Sequence, residues 1–417
     1  MGAIAAEPLY NLADTAIVGH LGRLPLDSLA IAATALAMTA WLAVFLTTAT
    51  TSAVARLRAG GDVPGAARAA GAAYLAAVVI GACVAIAVAV AAPGIGWLLG
   101  GRGAVLAGAT GYLRASAAGI PLLYVSYAGN GHLMGLADTR TPLWIAVGAN
   151  ALNVALEAGL VYGARWGLAG SAWGTVLAQL AAAALYAAAS WHGRAGVRPA
   201  RPGRAEMSAL VRDGHRLSVR TIALGVVPMA VTAIAARLGP VALGGQQIAM
   251  RVWYLLSLML DALAVPGQVY VSSALGAGDD DAARLVGRRT LWLGLVAGLG
   301  LGAVTLALAF VVPGAFTPDP AVRHEAMVAL AVSAFTQPLA AMAFVLDGLI
   351  LGLSDYVAMR RTMIVAAVVF APFGALVLRI HWFGLPGVWA AVGAWLAARA
   401  ILLGGRWARE AARAQRL

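Results

Sequence analysis

Long apolar runs, separated by short polar or glycine- and proline-containing breaks, follow one another along the whole chain. Runs such as 66–92 and 292–312 have the length of a helix that crosses a lipid bilayer. The breaks predict twelve helices, near 2–19, 27–52, 66–92, 105–135, 141–163, 167–191, 216–237, 241–274, 282–312, 322–351, 356–379 and 384–408. We therefore expect an all-α polytopic membrane protein with twelve transmembrane helices.

Composition agrees with this pattern, since 62% of the 417 residues are hydrophobic and 11% are charged. The basic residues are all arginine, and most of them lie on one side if both termini are cytoplasmic. The net charge of +12 is thus interpreted as a topological signal in a plasma membrane, such as a bacterial inner membrane, and not as a nucleic-acid surface. The single cysteine, Cys83, is expected to be a small buried apolar residue.

The sequence repeats itself at an offset of 217 residues. At this offset Leu21-Gly22 aligns with Leu238-Gly239, and Pro121 aligns with Pro338. A polar stretch near the middle separates the two copies. The predicted organisation is an N-terminal six-helix lobe (1–191), a cytoplasmic linker (192–215), a C-terminal six-helix lobe (216–410) and a cytoplasmic tail (411–417). Two lobes of six helices in equal orientation form a parallel repeat, which suits alternating access.

Polar side chains lie on one face of three predicted helices of the first half. The face consists of Glu7, Tyr10, Asn11 and Asp14 on 2–19, of Asn150, Asn153 and Glu157 on 141–163, and of Ser171, Thr175 and Gln179 on 167–191. Such faces avoid lipid only by turning towards one another. The repeated scaffold does not require these polar side chains, because Asp14 aligns with Val231 and Glu157 with Gly374 in the second copy.

The carboxylates of this first-half cluster have no arginine or histidine at mid-helix as a partner. A buried carboxylate without a counter-charge has to hold a proton or bind a cation, which are the requirements of ion coupling. Asp14, Glu157, Asn153, Asn150 and Thr175 are therefore the candidate coupling residues. A purely structural hydrogen-bond cluster is the alternative, and Glu7 could be an interfacial residue.

A second polar face lies in the other half of the sequence. It contains Arg251, Asp261 and Gln268 on 241–274, together with Gln337 and Asp347 on 322–351. Because Arg251 can neutralise one of these carboxylates, a structural ion pair and a binding site are both open interpretations. We rank this cluster, with Glu7, Tyr10, Asn11 and Gln179, second to the coupling residues.

Three segments resemble the multidrug and toxic compound extrusion (MATE) family. They are EPLYNLADTAIVGHLG (7–22), GNGHLMGLADTRTPL (129–143) and ANALNVALEAGLVYGARWGLAGSAWGTVLAQ (149–179). LDALAVPGQ (260–268) and VLDGLILGLSD (345–355) are most similar to its branch of proteins like DNA-damage-inducible protein F. The resemblance implies an antiporter that needs no cofactor and exports amphipathic cations in exchange for H⁺ or Na⁺. It also implies coupling roles for Asp14, Asn153, Glu157 and Thr175.

The expected mechanism is competition, in which protonation of Asp14, helped by Glu157, releases a cationic substrate outward. Na⁺ at Asp14, Asn153, Glu157 and Thr175 is the alternative, although Glu157 is one methylene longer than the aspartate common in members with a described Na⁺ site. The expected partners are small amphipathic cations and the lipid bilayer, with no nucleic acid, and the expected state is a monomer.

Other classes of protein remain as rivals. A lipid or lipid-linked saccharide flippase would need a more cationic cleft, and only Arg251 is expected deep in the membrane. An integral membrane enzyme is suggested by Asp279, Asp280 and Asp281, but one such run fits helix capping better. A passive channel would be distinguished by its inability to drive uphill flux.

Overall fold

The computed structural model describes residues 14, 17–192 and 196–413, with side chains for all of these except 381 and 411–413. Within that range the chain forms helices and no strand. The α-helices are α1 (Arg23–Ala59), α2 (Val63–Leu98), α3 (Gly103–Ala117), α4 (Ile120–Gly135), α5 (Arg140–Ala158), α6 (Gly167–His192), α7 (Arg204–Leu238), α8 (Pro240–Gly276), α9 (Asp280–Leu308), α10 (Val312–Phe316), α11 (Pro320–Gly352), α12 (Tyr356–Arg379) and α13 (Gly384–Arg413). Glu7, Tyr10 and Asn11 lie outside the described residues.

Ten of the described helices are long and apolar enough to cross a membrane. The prediction of one continuous helix over 105–135 is wrong, because α3 and α4 have 15 and 16 residues and are separated at Ala118 and Gly119. Pro121 occupies the first turn of α4, where a missing N–H is tolerated. A side chain at Gly119 would collide with the Gln179 amide oxygen, so α6 packs directly against this break.

The outer surface of the helices is apolar, as α2 shows. Val79, Ile86 and Val90 are exposed there, at the spacing of one helix face. Cys83 is exposed on the same face, so its predicted burial is wrong. An outward apolar face of this kind is stable against lipid and would be unfavourable in water. The chain is therefore a multi-pass membrane protein.

The described chain divides into two compact units, Met1–Gly214 and His215–Leu417. In the first unit α4 packs against α1, α2 and α6. In the second unit α11 packs against α8, α9 and α13, which are the equivalents of those three helices. Each unit thus has an equivalent central helix with equivalent neighbours, although the N-terminal half of α11 corresponds to the separate helix α3 of the first unit.

Backbone conformation confirms the predicted repeat. The left-handed region is occupied in pairs that are 217 residues apart, namely Gly22 and Gly239 (φ 114° and 124°), Gly61 and Gly278 (80° and 74°), Ala137 and Ser354 (62° and 56°), and Gly167 and Gly384 (54° and 47°). Alanine and serine adopt this region at a cost, so their coincidence indicates that both turns are imposed by the same packing.

Close helix contacts repeat in the same way. A Cβ atom on Gly135 would lie 2.9 Å from the Thr51 carbonyl oxygen, and one on Gly352 would lie 2.9 Å from that of Gln268. These two pairs are equivalent at the 217-residue offset. The backbone of Gln268 therefore belongs to the shared scaffold, where a glycine permits two helices to touch.

Aspartates begin several helices by accepting backbone hydrogen bonds, which satisfies donors that have no partner within the helix. Asp62 accepts from Gly65 N and Asp279 accepts from Ala282 N, each at 2.8 Å. Asp281 pairs with Arg284 one turn later. The capping interpretation of the Asp279–Asp281 run is confirmed by these contacts.

Helix α7 begins at Arg204, inside the predicted linker 192–215. Glu206 explains the early start. Its carboxylate accepts from Gly203 N at 2.9 Å and from Arg68 Nε at 2.6 Å, so the first turn of α7 is both capped and fixed to α2. At the other end, α13 continues to Arg413 into the predicted tail 411–417.

Candidate ion-coupling site

Asp14 and Glu157 lie together in the first unit, as predicted for the coupling residues. Both are buried, at 8% and 0% exposure. Ser171 on α6 donates a hydrogen bond from its hydroxyl to Asp14 Oδ1 at 3.0 Å. The Tyr112 hydroxyl lies 3.3 Å from Ser171 Oγ, within hydrogen-bond distance, and either hydroxyl can be the donor. Asp14 and Ser171 are also the electrostatic neighbours of Glu157.

Glycines on α6 allow this close arrangement. A Cβ atom on Gly174 would lie 3.0 Å from both Cα and N of Glu157, and one on Gly170 would lie 2.8 Å from the carbonyl carbon of Leu160. Without side chains at these two positions, α6 packs directly on the backbone that carries Glu157.

A π-helical turn, Gly159–Gly163, follows Glu157 immediately. Turns of this kind are rare and occur often at functional sites. Tyr162, within the turn, donates a hydrogen bond to the carbonyl oxygen of Ile17 at 2.6 Å. The turn therefore connects the end of α5 to the backbone three residues after Asp14.

The charge of the site is uncompensated over the described part of the chain. Neither oxygen of Glu157 has a hydrogen-bond partner there, and Asn153 Oδ1, one turn earlier, has none either. No arginine or histidine pairs with Asp14 or Glu157 among the recorded ion pairs of the described residues. Two neighbouring buried carboxylates cannot both stay ionised cheaply, so the pair is suited to take up a proton or a cation.

The other predicted residues of the first half, Thr175, Asn150 and Gln179, are less deeply buried than Asp14 and Glu157. Thr175 and Asn150 are half-buried on the two helices that carry Ser171 and Glu157. Together with Asp14, Asn153 and Glu157 they supply oxygen atoms, which are the ligands that hard cations prefer. Gln179 packs against the α3–α4 break, where a Cβ atom on Gly119 would lie 2.0 Å from its amide oxygen.

The second unit shows that the fold does not require this polar cluster. The equivalents of its side chains at the 217-residue offset are apolar or absent and belong to, or pack against, one hydrophobic core. Asp14, Tyr112, Asn150, Asn153, Glu157, Ser171, Thr175 and Gln179 correspond in this order to Val231, Ala329, Ala367, Phe370, Gly374, Val388, Val392 and Leu396. The same scaffold positions thus carry polar side chains in the first unit and apolar side chains or glycine in the second.

The expectation that Arg251 neutralises a second-half carboxylate is wrong, because Arg251 is exposed. Asp347 instead pairs with two arginines that the sequence interpretation missed. Its Oδ2 atom accepts from Arg399 Nη2 at 2.6 Å and from Arg220 Nη2 at 3.1 Å. Arg251 is exposed on α8, whereas Arg220 and Arg399 are near the middle of α7 and α13 and are largely or fully buried.

The other residues of the predicted second polar face, Asp261 and Gln337, do not lie in one common cluster. Asp261 is exposed, yet Arg220, Asp347 and Arg399 are its electrostatic neighbours. Gln337 is buried and donates from its amide to Ser333 Oγ at 3.4 Å on its own helix. The 217-residue comparison could have identified the missed arginine Arg399, because its first-half equivalent is Ala182.

Comparisons with known proteins agree with this architecture. The MatE family model matches residues 1–158 and 217–376, two segments that begin 216 residues apart. Protein DETOXIFICATION 44, chloroplastic, of Arabidopsis thaliana is 31% identical over 97% of this chain and 79% of its own length. DNA damage-inducible protein F of Escherichia coli (strain K12) is 26% identical over 97% of this chain and 88% of its length.

Solved structures share the fold. An outward-facing multidrug resistance MATE family transporter of the MOP superfamily superimposes with a TM-score of 0.89, at 21% identity over 98% of this chain and 93% of that one. The predicted resemblance is thereby confirmed, including its link to DNA damage-inducible protein F. Members of the family are transporters and not enzymes. The family model covers most of the chain, which therefore belongs to the multidrug and toxic compound extrusion (MATE) family.

Proposed function

We propose that the chain is a secondary active antiporter that exports amphipathic, cationic compounds in exchange for H⁺ by alternating access. The observation that carries this proposal is the buried pair Asp14 and Glu157, which has no counter-charge over the described residues. The 217-residue comparison supports it, since Val231 and Gly374 occupy the same scaffold positions. Relatives whose names include multidrug resistance support the substrate class.

The geometry suggests how one proton and one substrate exclude each other. When Asp14 and Glu157 share a proton, their attraction for a cation falls. When the proton leaves, two negative charges remain close together in a medium of low dielectric, and a cationic compound is bound strongly. Ser171 holds the Asp14 carboxylate in place through both states. Binding that differs between protonation states is what an exchange mechanism requires.

Proton coupling is preferred over Na⁺ because of the length of Glu157. Its side chain is one methylene longer than the aspartate common in members with a described Na⁺ site, and this fits a compact set of oxygen ligands less well. Na⁺ held by Asp14, Asn153, Glu157 and Thr175 remains the alternative. The experiment described below tests it with a separate Na⁺ gradient.

The proposed setting is a plasma membrane with both termini in the cytoplasm and the chain acting as a monomer. The arginine distribution supports the orientation. Arg220 and Arg399 no longer count towards it, because they form internal ion pairs. The proposed lobes are 1–191 and 216–410.

The test is uptake of the fluorescent cation ethidium into inside-out vesicles, with a pH gradient or a Na⁺ gradient imposed separately. The proposal predicts uptake driven by the pH gradient, and its loss in Asp14→Asn at an equal amount of folded protein. Uptake driven only by Na⁺ would replace H⁺ with Na⁺ as the coupling ion. Full pH-driven uptake by Asp14→Asn would contradict the assignment of Asp14.

A lipid or lipid-linked saccharide flippase is the second candidate, and one observation favours it. Its main weakness in the sequence was that only Arg251 was expected deep in the membrane, whereas the structure places Arg220 and Arg399 inside the second unit. Translocation of a fluorescent phospholipid by reconstituted protein, without ethidium transport, would support this function over drug export.

A further inference from the structure

The segment before α7 contains a three-residue repeat. Residues 198–204 are RPARPGR, so arginine occupies every third position and proline follows the first two arginines. Proline fixes its own φ and disfavours the α conformation of the residue before it. The repeat therefore favours a polyproline II backbone, in which every third side chain lies on the same edge, about 9 Å further along. We call Arg198, Arg201 and Arg204 the arginine edge.

The backbone of this segment is fixed to the first unit, although it forms neither helix nor strand. Val197 is buried in an apolar cluster with residues of α1 and α2. Ala200 N donates to the Ala67 carbonyl oxygen on α2 at 2.9 Å. A Cβ atom on Gly71 would collide with the Ala200 carbonyl oxygen, so the segment lies directly on α2. With the carboxylate of Glu206 holding its far end, the segment is docked and is not a free linker.

The arginine edge is open to the surroundings of the protein, because all three of its residues are exposed. Among the described residues, no carboxylate forms a recorded ion pair with them. Glu206, the nearest acidic residue in the sequence, already pairs with Arg68. Three guanidinium groups are thus held at a regular spacing, and planar groups of this kind are well suited to binding phosphate.

The contact with α2 sets the depth of the docked segment in the bilayer. α2 has 36 residues, from Val63 to Leu98. A hydrocarbon core of about 30 Å takes about 20 residues of helix, so a core centred on α2 begins near Gly71. Val79 and Val90, which are apolar and exposed, lie within this core. The docked segment therefore lies at the level of the lipid headgroups.

The second unit has no equivalent place for such a segment. At the 217-residue offset Arg284 replaces Ala67 and Arg288 replaces Gly71, so the small residues of α2 that receive the segment are absent. A charge that only sets topology needs neither a fixed backbone nor a regular spacing, because the number of arginines is sufficient. The docking and the repeat therefore indicate a second role for the arginine edge.

We infer that the arginine edge is a binding surface for the phosphate groups of anionic phospholipids. Its guanidinium groups, spaced about 9 Å apart, contact the headgroups of neighbouring lipids while the backbone behind them stays on α2. On the proposed orientation these lipids belong to the cytoplasmic leaflet, whose surface is negative. The lipid is a bound neighbour and not a transported compound, so this inference goes beyond the proposed function and does not rest on it.

The first test measures lipid binding to the purified full-length protein by native mass spectrometry from an uncharged detergent. Dioleoylphosphatidylglycerol is the anionic probe, and dioleoylphosphatidylcholine, which has the same chains, is the zwitterionic control. We expect at least about tenfold tighter binding of phosphatidylglycerol, since one arginine near an anionic surface contributes about fivefold. Equal affinity for the two lipids would overturn the inference. Glycerophosphoglycerol, the headgroup without chains, should not displace the lipid at equal concentration, and displacement would overturn the choice of a lipid as the partner.

Charge variants assign the binding to the arginine edge. Replacement of all three of its arginines by glutamine should weaken phosphatidylglycerol binding by about tenfold or more. The matched control removes the same charge from three exposed arginines of the second unit, Arg288, Arg289 and Arg361. Because distant charges are screened, the control should change the affinity by less than about threefold. An equal loss in the two triple variants would show that net charge alone attracts the lipid, and would overturn the inference.

Variants that keep every charge test the geometry. Pro199→Gly combined with Pro202→Gly makes the repeat flexible, and should weaken binding by about threefold or more at unchanged net charge. Gly71→Val should also weaken binding by displacing the segment, whereas Gly94→Val on the same helix, where no neighbouring atom lies within 4 Å, should not. Full affinity in the proline variant would overturn the inference. Asp14→Asn should leave lipid binding unchanged, so the outcome is independent of whether the proposed antiport is correct.

Discussion

Ser171 donates a hydrogen bond to the Asp14 carboxylate, and the Tyr112 hydroxyl lies within hydrogen-bond distance of Ser171. The three groups form a hydrogen-bonded chain that ends on a carboxylate. Hydrogen bonds arranged in this way strengthen one another and hold their acceptor in a fixed orientation. Glu157, beside them, has no such support within the described residues. The two carboxylates are therefore different in surroundings although they are neighbours.

Ser171→Ala removes the hydroxyl that orients Asp14. Because such a bond contributes about 1 kcal/mol, we expect ethidium efflux to fall by about fivefold and its dependence on pH to shift. Efflux from cells and its pH profile are the measurements. Ser190→Ala is the control, since Ser190 is buried on the same helix but contacts Tyr74 and His132. Unchanged pH dependence in Ser171→Ala would contradict the role given to Ser171.

Glu157→Gln removes the second titratable group and keeps its shape. Both Glu157 oxygens are buried without hydrogen-bond partners among the described residues, so the melting temperature should stay the same or rise. Ethidium efflux should fall by at least about tenfold, because a single carboxylate binds a cation less strongly. Glu410→Gln, at the end of α13, should retain efflux. If Glu157→Gln transports normally, Asp14 alone carries the coupling.

At the scale of single residues, Asp14 and Glu157 could be predicted because the repeat itself marks them as unnecessary for the scaffold. Asp347 is predicted from the polar face of its helix, whereas its arginine partners Arg220 and Arg399 are not. Arg399 lies between apolar residues on both sides, and nothing in this local pattern marks it as buried. Arg251 and Arg399 both lie within apolar stretches of their helices, and only packing shows that Arg399 is buried and Arg251 is exposed.

Helices α5 and α6 approach each other closely at the site because α6 has glycines at the positions of contact. Gly174 and Gly170 on α6 lie against Glu157 and the π-helical turn that follows it. The position of the Glu157 carboxylate is therefore set by how closely α5 and α6 approach, and not only by its own side-chain conformation. A change that separates these two helices should affect coupling without altering any polar residue.

Gly174→Val tests this contact. A Cβ atom there would lie 3.0 Å from the backbone of Glu157, so we expect a loss of about 1–3 kcal/mol in the free energy of unfolding, together with reduced efflux. Gly148→Val is the control on α5, where no neighbouring atom lies within 4 Å. The melting temperature and ethidium efflux are measured for both. Equal effects at the two positions would contradict the close approach.

The predicted helix bounds agree with the structure where the apolar pattern is continuous. They are less accurate where one helix ends and the next begins. α8 spans Pro240–Gly276 against a predicted 241–274. The α3–α4 break was missed because it depends on a contact between Gly119 and Gln179, which are 60 residues apart. The early start of α7 was missed because Glu206 caps it and pairs with Arg68 on a different helix. Contacts between distant residues do not appear in local periodicity.

At the scale of the whole molecule, two copies of one scaffold have acquired different chemistry. The first unit contains unpaired carboxylates, and the second contains an apolar core with a cluster of arginines and aspartate. Four pairs of positive-φ turns and the Gly135 and Gly352 contacts nevertheless recur in both. The repeat was predictable because it leaves identical residues at turns. The ion and the exported compound were not, because they depend on side chains that differ between the copies.

The central claim is that substrate and proton compete for the Asp14–Glu157 pair. It is tested most directly by adding tetraphenylphosphonium, a cation that cannot itself titrate, to purified protein in weakly buffered solution. Linkage requires that a cation which displaces a bound proton releases it, so we predict release of up to about one proton per bound cation. Asp14→Asn should release none. Tetraphenylphosphonium binding without proton release from the unaltered protein at any pH between 5 and 8 would contradict the account.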